Sequence, residues 1–341
     1  MSPARWVQLL MMASCLSMAT LPSANAAQQV FSELPTTLDR TTTLVFENDI
    51  FTGQDSGYTN GVALLFSKGT FPTFSADVVP DLVARVVRGS WIAKTDQRKR
   101  GLVYTIAQGM QTPEDITVTS LQSDQPPYAG VLLGSLSLYA FDHQMVDQLS
   151  FSLGVVGPVS LAEQAQRLIH TATGSDDPAG WDNQLHNELV FQLEASRGYR
   201  LAATRLGTGP ELDLIAHGSA ALGTLASHAS VSLIARIGRE LALTFPVATL
   251  LPNRQINANV FSSKPSWFGF VGAESQYLAN DILIDGNTFR DSHSLSLDHT
   301  RERLSIGLSF SVGRFGLTFL YADVPGNSDE DPFGAVSVTY K

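Results

Sequence analysis

The chain has 341 residues, 44% of them hydrophobic and only 16% charged, with one cysteine and a formal net charge of −10. A soluble domain carries about 25% charged residues, so an ordinary cytosolic enzyme is disfavoured. So is a helical membrane protein, because beyond residue 26 no apolar run reaches the roughly 18 residues a spanning helix needs. The acidic balance and the single cysteine set aside a nucleic-acid binder and a disulfide scaffold.

The first predicted element is an export signal. Arg5 is the only charge before residue 33, Trp6 to Thr20 is mostly apolar, and Ala24-Asn25-Ala26 offers the small-x-small pattern of a signal-peptidase site. Residues 1–26 read as a signal peptide cleaved after Ala26, leaving 27–341 as the exported protein. Cys15 falls inside the leader, so the mature chain has no thiol. Acylation at Cys15 would need a better residue than Met12 three positions upstream.

From residue 42 onward one pattern repeats. In Leu304-Ser305-Ile306-Gly307-Leu308-Ser309-Phe310-Ser311-Val312-Gly313 every second residue is large and apolar, and the rest are Ser or Gly. Gln148 to Val155 and Ser230 to Leu233 do the same, as does Asn187-Leu189-Phe191-Leu193 set against Glu188, Gln192 and Glu194. Strict period-two alternation argues for strands with one apolar and one polar face. A soluble sandwich would put Lys and Glu on its outer face. Here the second face is mostly Ser, Gly, Thr and Gln, which suits a narrow polar lumen with the apolar face in lipid.

The expected architecture is therefore all-β, an antiparallel transmembrane β-barrel of about 12 strands in the outer membrane. The predicted strands, in chain order, are 42–48, 58–67, 102–110, 130–141, 147–156, 186–195, 211–222, 228–238, 267–278, 303–313, 315–322 and 334–340. Twelve is an even number, as a bacterial single-chain barrel requires. With both termini periplasmic, the tight turns at 143–146 and 313–314 fall on the periplasmic side. The longer segments 69–100 and 239–266 fall there too. The first carries Arg85, Arg88, Lys94, Arg98, Lys99 and Arg100 beside Leu82, Val83, Val86 and Val87. It reads either as a short interfacial helix or as a solvated loop.

Three loops of unusual composition share the outer rim. The first contains Glu47-Asn48-Asp49 and Tyr58-Thr59-Asn60-Gly61; Asn, Asp and Gly are also ordinary turn formers at a strand end. The second, 111–129, holds Thr112-Pro113-Glu114-Asp115 and Asp124 to Gly130, where prolines also serve simply to shape a loop. In the third, Ser160 with Glu163 three residues on reads as a capping box. It opens a short extracellular-loop helix to about Ala172, followed by Gly174. Gln166 and His170 are four residues apart on that helix and share a face; Asp176, Asp177, Trp181 and Gln184 follow. A lone histidine on a helix is usually a surface residue, but this one has acids, an Asn and a Thr for company.

Such a rim has a chemical use. Neutral histidine, with an unperturbed pKa of about 6.5, can take a proton from water. Carboxylates and backbone oxygens suit a hard cation such as Ca2+, which polarises an ester carbonyl. At the outer leaflet the ester-bearing molecule within reach is a lipid. No Gly-x-Ser-x-Gly elbow, His-Glu-x-x-His, P-loop or EF-hand loop occurs.

Taken together these stretches resemble the lipid A 3'-O-deacylase family of outer-membrane barrels. The matching residues are Glu47-Asn48-Asp49, Tyr58-Thr59-Asn60-Gly61, Thr112-Pro113, Pro127-Tyr128-Ala129-Gly130, Gly154 to Pro158, Gln166, His170 and Gly180-Trp181-Asp182-Asn183-Gln184, across roughly residues 44–188, with Asp285-Gly286-Asn287 a fainter echo. The resemblance implies a twelve-stranded barrel whose site lies between the outer wall and the helix carrying His170. It implies His170 as general base, Asn48 and Thr59 lining the catalytic centre, and Ca2+ as cofactor with Asp49 as a ligand. It also implies an acid five residues before the tryptophan that assists the metal, here Asp176, with Asp177 as rival. The reaction implied is release of the acyloxyacyl chain at the 3' position of lipid A. Three departures stand out: Asp at 176 in place of the Glu of the family's best-known member, Pro126 where the family often has Arg, and a chain ending in Tyr340-Lys341 rather than a terminal aromatic residue. A phospholipase using the same site, and a narrow porin or structural barrel, are the alternatives. The anionic character of both protein and lipid poses a further question of charge.

Overall fold

The computed structural model describes residues 39–48, 60–94, 96, 98–241, 244, 265–323 and 332–341. The proposed leader 1–26, Asp49 and Thr59 lie outside them. The strands are β1 (Asp39–Asn48), β2 (Asn60–Phe71), β3 (Lys99–Gln111), β4 (Ala129–Phe141), β5 (Met145–Val156), β6 (Glu188–Arg205), β7 (Glu211–Gly223), β8 (Ala226–Arg239), β9 (Ser266–Asp281), β10 (Thr300–Val312), β11 (Phe315–Asp323) and β12 (Phe333–Tyr340). Each pairs antiparallel with its sequence neighbours, and β12 closes on β1 from Thr42 opposite Tyr340 to Asn48 opposite Gly334. Closure leaves no unpaired sheet edge, the condition a strand structure must meet in hydrocarbon.

The alternation resolves in the direction expected. Along β10, Leu304, Ile306, Leu308, Phe310 and Val312 are exposed on the outer face, while Ser309 and Ser311 are buried inside. Inward hydroxyls meet across the ladder: Ser135 with Ser152 (2.8 Å), Ser137 with Ser150 (2.7 Å), Ser309 with Thr318 (2.9 Å) and Thr43 with Thr339 (2.8 Å). Among the described residues no helix is long and apolar enough to cross a membrane.

One strand is much longer than its sequence pattern indicated. β6 runs to Arg205, ten residues past the expected end at 195. The cause is Arg197, which occupies an outward position and so breaks the apolar alternation. Its charge is met across the ladder by Asp147, with Nε–Oδ1 at 2.6 Å and Nη2–Oδ2 at 3.0 Å. Two positions later Tyr199 resumes the apolar face.

Described residues pack into the lumen near both of its ends. At one end Arg200 and Arg236 flank Asp213 (3.0 and 2.5 Å) and donate to the carbonyls of Leu241 and Thr244. That draws the start of the segment after β8 into the barrel, where Leu241 joins Phe268, Phe270, Tyr139 and Phe141. At the other end Leu185, Leu225 and Ile282 pack on the inward residues Val131, Leu133, Val156 and Val190.

The connections between strands carry short helices. α1 (Asp81–Val87) lies between β2 and β3, α2 (Ala162–Thr173) between β5 and β6, and α3 (Ile282–Asp285) directly after β9. The tight turns at 142–144 and 313–314 share the rim of α1 and identify it as periplasmic. α2 and α3 belong to the opposite, outer rim.

Candidate active site

α2 lies against the outside of the barrel wall, and sequence-level residues explain why. On β3 and β4 the outward positions are the even-numbered ones: Tyr104, Ile106, Gln108 and Met110, and Gly130, Leu132, Gly134 and Leu136. Gln108 interrupts this apolar face near the rim, and its amide donates to the Ser160 carbonyl at 2.6 Å. Beside it Met110 packs with Tyr128, Ala162 and Trp181. Gly130 is where the helix comes closest. A Cβ there would overlap both the Ala162 methyl and the Ser160 hydroxyl. The Gly130 carbonyl also accepts from Gly157 at 2.9 Å, holding the start of the loop to the wall.

The expected capping box does not form. Pro158–Ser160 make a turn of 3-10 helix, Ser160 is buried with its carbonyl committed to Gln108, and the helix begins at Ala162 behind Leu161, whose φ of 60° is left-handed. No side chain caps the helix, and Glu163 pairs instead with Arg167 at 3.1 Å. Docking onto the wall has overridden a local preference that is worth only about 1 kcal/mol.

The other end of α2 shapes the chemistry. Gly174 at φ 76° ends the helix, and the amides of Gly174 and Ser175 both return to the His170 carbonyl (2.8 and 3.1 Å). This reversal lays the Asp176 carbonyl oxygen 2.5 Å from His170 Nδ1. A carbonyl can only accept, so in the neutral ring Nδ1 carries the proton and Nε2 keeps its lone pair. His170 is buried, with its ring orientation fixed by this bond.

Gln166, one turn earlier, is buried on the same face and accepts from Trp181 Nε1 at 2.7 Å. Trp181 in turn packs on Tyr128, ring centroids 5.1 Å apart, and Gly180 is required because a Cβ there would strike the Tyr128 ring. Burial pushes the Tyr128 phenol up from its ordinary value, against a hydrogen bond with the Gly180 backbone. The second rim loop is fastened to the third through Ala179 to Ile116 (2.8 Å) and Asn183 to Thr119 (2.9 Å). Asn287, from the stretch after α3, brackets His186: its Oδ1 accepts from the His186 amide and its Nδ2 donates to the His186 carbonyl, both at 2.9 Å.

The structure brings His170 and Asp176 together, though through the Asp176 backbone. Its carboxylate is exposed, whereas Asp177 is taken up by Arg167 at 2.7 Å. Asn48 ends β1 on the outward side, in series with the exposed Leu44. Glu47 pairs with Gly61 and Asn60 with Met110, so the register sets Asn48 at the rim level of the α2 docking site. Among the described residues no three His, Cys, Asp or Glu side chains gather closely enough to hold a metal. Sequence reasoning named Gly130 only as part of a motif, without its contact to the helix, and missed Gln108. The signal for Gln108 was available: a polar residue on a lipid-facing stripe.

A family model described as "Outer membrane protein LpxR" matches residues 10–341. Among solved structures, LpxR from Salmonella typhimurium superposes with a TM-score of 0.70, at 14% identity over 88% of this chain and 99% of that one. The β domain of the Bordetella autotransporter BrkA gives a TM-score of 0.44 at 9% identity, covering 89% and 100%. The translocator domain of the autotransporter NalP from Neisseria meningitidis gives 0.37 at 12%, covering 99% and 97%. No curated protein matches the chain.

Proposed function

Because the chain belongs to the outer membrane protein LpxR family, we propose that it is an outer-membrane hydrolase that removes the 3'-linked acyloxyacyl chain from lipid A, with His170 as its base. The observation that carries this reading is the Nδ1–H bond of His170 to the Asp176 carbonyl at 2.5 Å, which assigns the ring lone pair to Nε2 on a helix docked against the outer surface of the wall.

In this reading Nε2 of His170 takes a proton from water as the oxygen attacks the ester carbonyl carbon. The Asp176 carbonyl steadies the imidazolium through Nδ1. The proton then passes to the 3' oxygen as its bond to the acyl carbon breaks, giving a free fatty acid and a lipid A hydroxyl. Asn48 and Thr59 line the centre and orient the ester. Ca2+ fits the donors proposed here, which are all oxygens: the carboxylates of Asp49 and Asp176, with backbone carbonyls. Bound there, the ion supplies charge that polarises the ester carbonyl and offsets the oxyanion.

The test is to express the chain and its His170→Ala variant in a heterologous outer membrane, with calcium or chelator, and to weigh extracted lipid A by mass spectrometry. Loss of one acyloxyacyl unit that needs both His170 and calcium is the expected result. Unchanged lipid A from a correctly inserted barrel refutes the proposal, and fatty acid released from phospholipid reassigns the substrate.

A further inference from the structure

Segment 81–100 carries six basic residues against two acidic ones, Asp81 and Asp96. Arg85 pairs with Asp81 one turn earlier and Lys99 is half-buried in β3; the other four cations fall into two sets. Arg98 and Arg100 are buried fasteners. Arg98 bridges Asp96 (2.7 Å) and Asp147 (2.6 Å), while Arg100 reaches Asp96 (2.8 Å) and the carbonyl of Lys94 (2.5 Å). Arg88 and Lys94 are exposed and form no ion pair among the described residues.

The segment rides on the outside of the barrel. Ala84, Val87 and Ile92 pack with Phe71 and Phe74 on Leu102, Leu138 and Ala140, which are outward residues of β3 and β4. The other face of α1 then presents Leu82 and Val86, one turn apart and 72% and 73% exposed, with Trp91 36% exposed just beyond. The register fixes their level. Leu149, packed against this cluster, lies beside Ala195, and Met145 beside Tyr199. Tyr199, Trp267, Phe315 and Tyr340 are exposed aromatic residues around the same end of the barrel, the girdle that marks a membrane boundary. Apolar side chains this exposed, beside unpaired cations and continuous with a lipid-facing wall, match an element lying in a bilayer interface.

We propose that residues 81–94 form an interfacial anchor that seats an anionic phospholipid headgroup of the periplasmic leaflet between Arg88 and Lys94. Leu82, Val86 and Trp91 enter the acyl boundary beneath it. Complementarity of charge selects the headgroup, and continuity with the apolar belt selects a bilayer lipid over a soluble anion. The anchor is independent of the ester chemistry on the opposite rim.

The full chain is reconstituted into vesicles of phosphatidylcholine with or without phosphatidylglycerol, using brominated acyl chains. Quenching at Trp91 is read as the difference between the protein and Trp91→Phe. Lipid retained after release into detergent is counted by native mass spectrometry. Trp91 emission is expected to fall at least twofold, with phosphatidylglycerol retained above its share of the bilayer. That enrichment disappears in Arg88→Glu/Lys94→Glu and also in the milder Arg88→Gln/Lys94→Gln, each checked for folding by heat-modifiable gel mobility. Absence of quenching at Trp91 overturns the anchor. Quenching with enrichment that survives both double variants overturns the headgroup assignment.

Discussion

Gly130 of the barrel wall and Ala162 of the site helix approach so closely that a Cβ on the glycine would overlap the alanine methyl. The contact is what allows a short helix to lie flat on a strand surface. It predicts that Gly130→Ala displaces α2 while leaving the barrel intact. Overpacking costs about 1–3 kcal/mol, and a displacement near 1 Å at a reacting group costs on the order of 100-fold in rate. Lipid A turnover should fall at least tenfold, with heat-modifiable gel mobility unchanged.

The bond from Trp181 Nε1 to Gln166 Oε1 ties the helix to the end of its own loop. Trp181→Phe removes the donor and strands a buried amide oxygen, a loss of about 1–3 kcal/mol. Limited proteolysis between residues 174 and 184 should accelerate, and Gln166→Leu combined with Trp181→Phe should recover part of the loss.

Asp176 has two separable parts. Asp176→Asn keeps the backbone carbonyl on His170 Nδ1 but removes the carboxylate proposed to assist the metal. The calcium concentration for half-maximal turnover should rise about tenfold, while turnover at saturating calcium stays within a few-fold. Gly174→Ala does the converse. Its left-handed φ of 76° costs a side chain roughly 1–2 kcal/mol, shifts the carbonyl from the ring, and should lower kcat with KM little changed. Gly174→Asn, which tolerates that conformation, should fall between.

Asp96 predicts an acid-sensitive fastening of segment 81–100. Burial pushes its carboxyl up, but hydrogen bonds from Arg100 and Arg98 outweigh it and hold the group at about 2. A depressed pKa in the fold means the stabilisation is complete above the ordinary carboxylate value of about 3.9 and is lost as pH falls through about 2. Nicking of this segment by pepsin should emerge between those limits, and Asp96→Asn should show the loosened segment at neutral pH.

Inside the lumen, Asp213 stands between Arg200 and Arg236. Asp213→Asn leaves two buried guanidinium groups uncompensated, a change of about 3–5 kcal/mol. The heat-modification midpoint should drop by several degrees, with the outer-rim site still active below it.

The strands were legible because one face of each is Ser, Gly or Thr and the other Leu, Ile or Phe, as in Leu304 to Val312. Legibility failed where a polar residue took an outward position. Arg197 concealed the second half of β6, and Gln108 concealed the docking point of the helix, since only the register reveals the partners Asp147 and Ser160. A helix carrying Gln166 and His170 and ending before Gly174 was legible in the sequence. Its first residue was not, because Ser160 serves the wall rather than the helix. His170 stood out by its company, but the bond that selects its tautomer comes from a main-chain oxygen, which no side-chain pattern encodes.

The placement of α2 on the outer surface of the wall has a kinetic consequence. If the substrate is a lipid of the outer leaflet, as proposed, it reaches a helix on this surface by lateral movement within its own layer. Its effective concentration is therefore a surface density, set by the mole fraction of the lipid in its own layer and by lateral diffusion. Saturation curves for such a catalyst belong on an axis of mole fraction, and dilution with inert lipid, rather than with buffer, is what slows it.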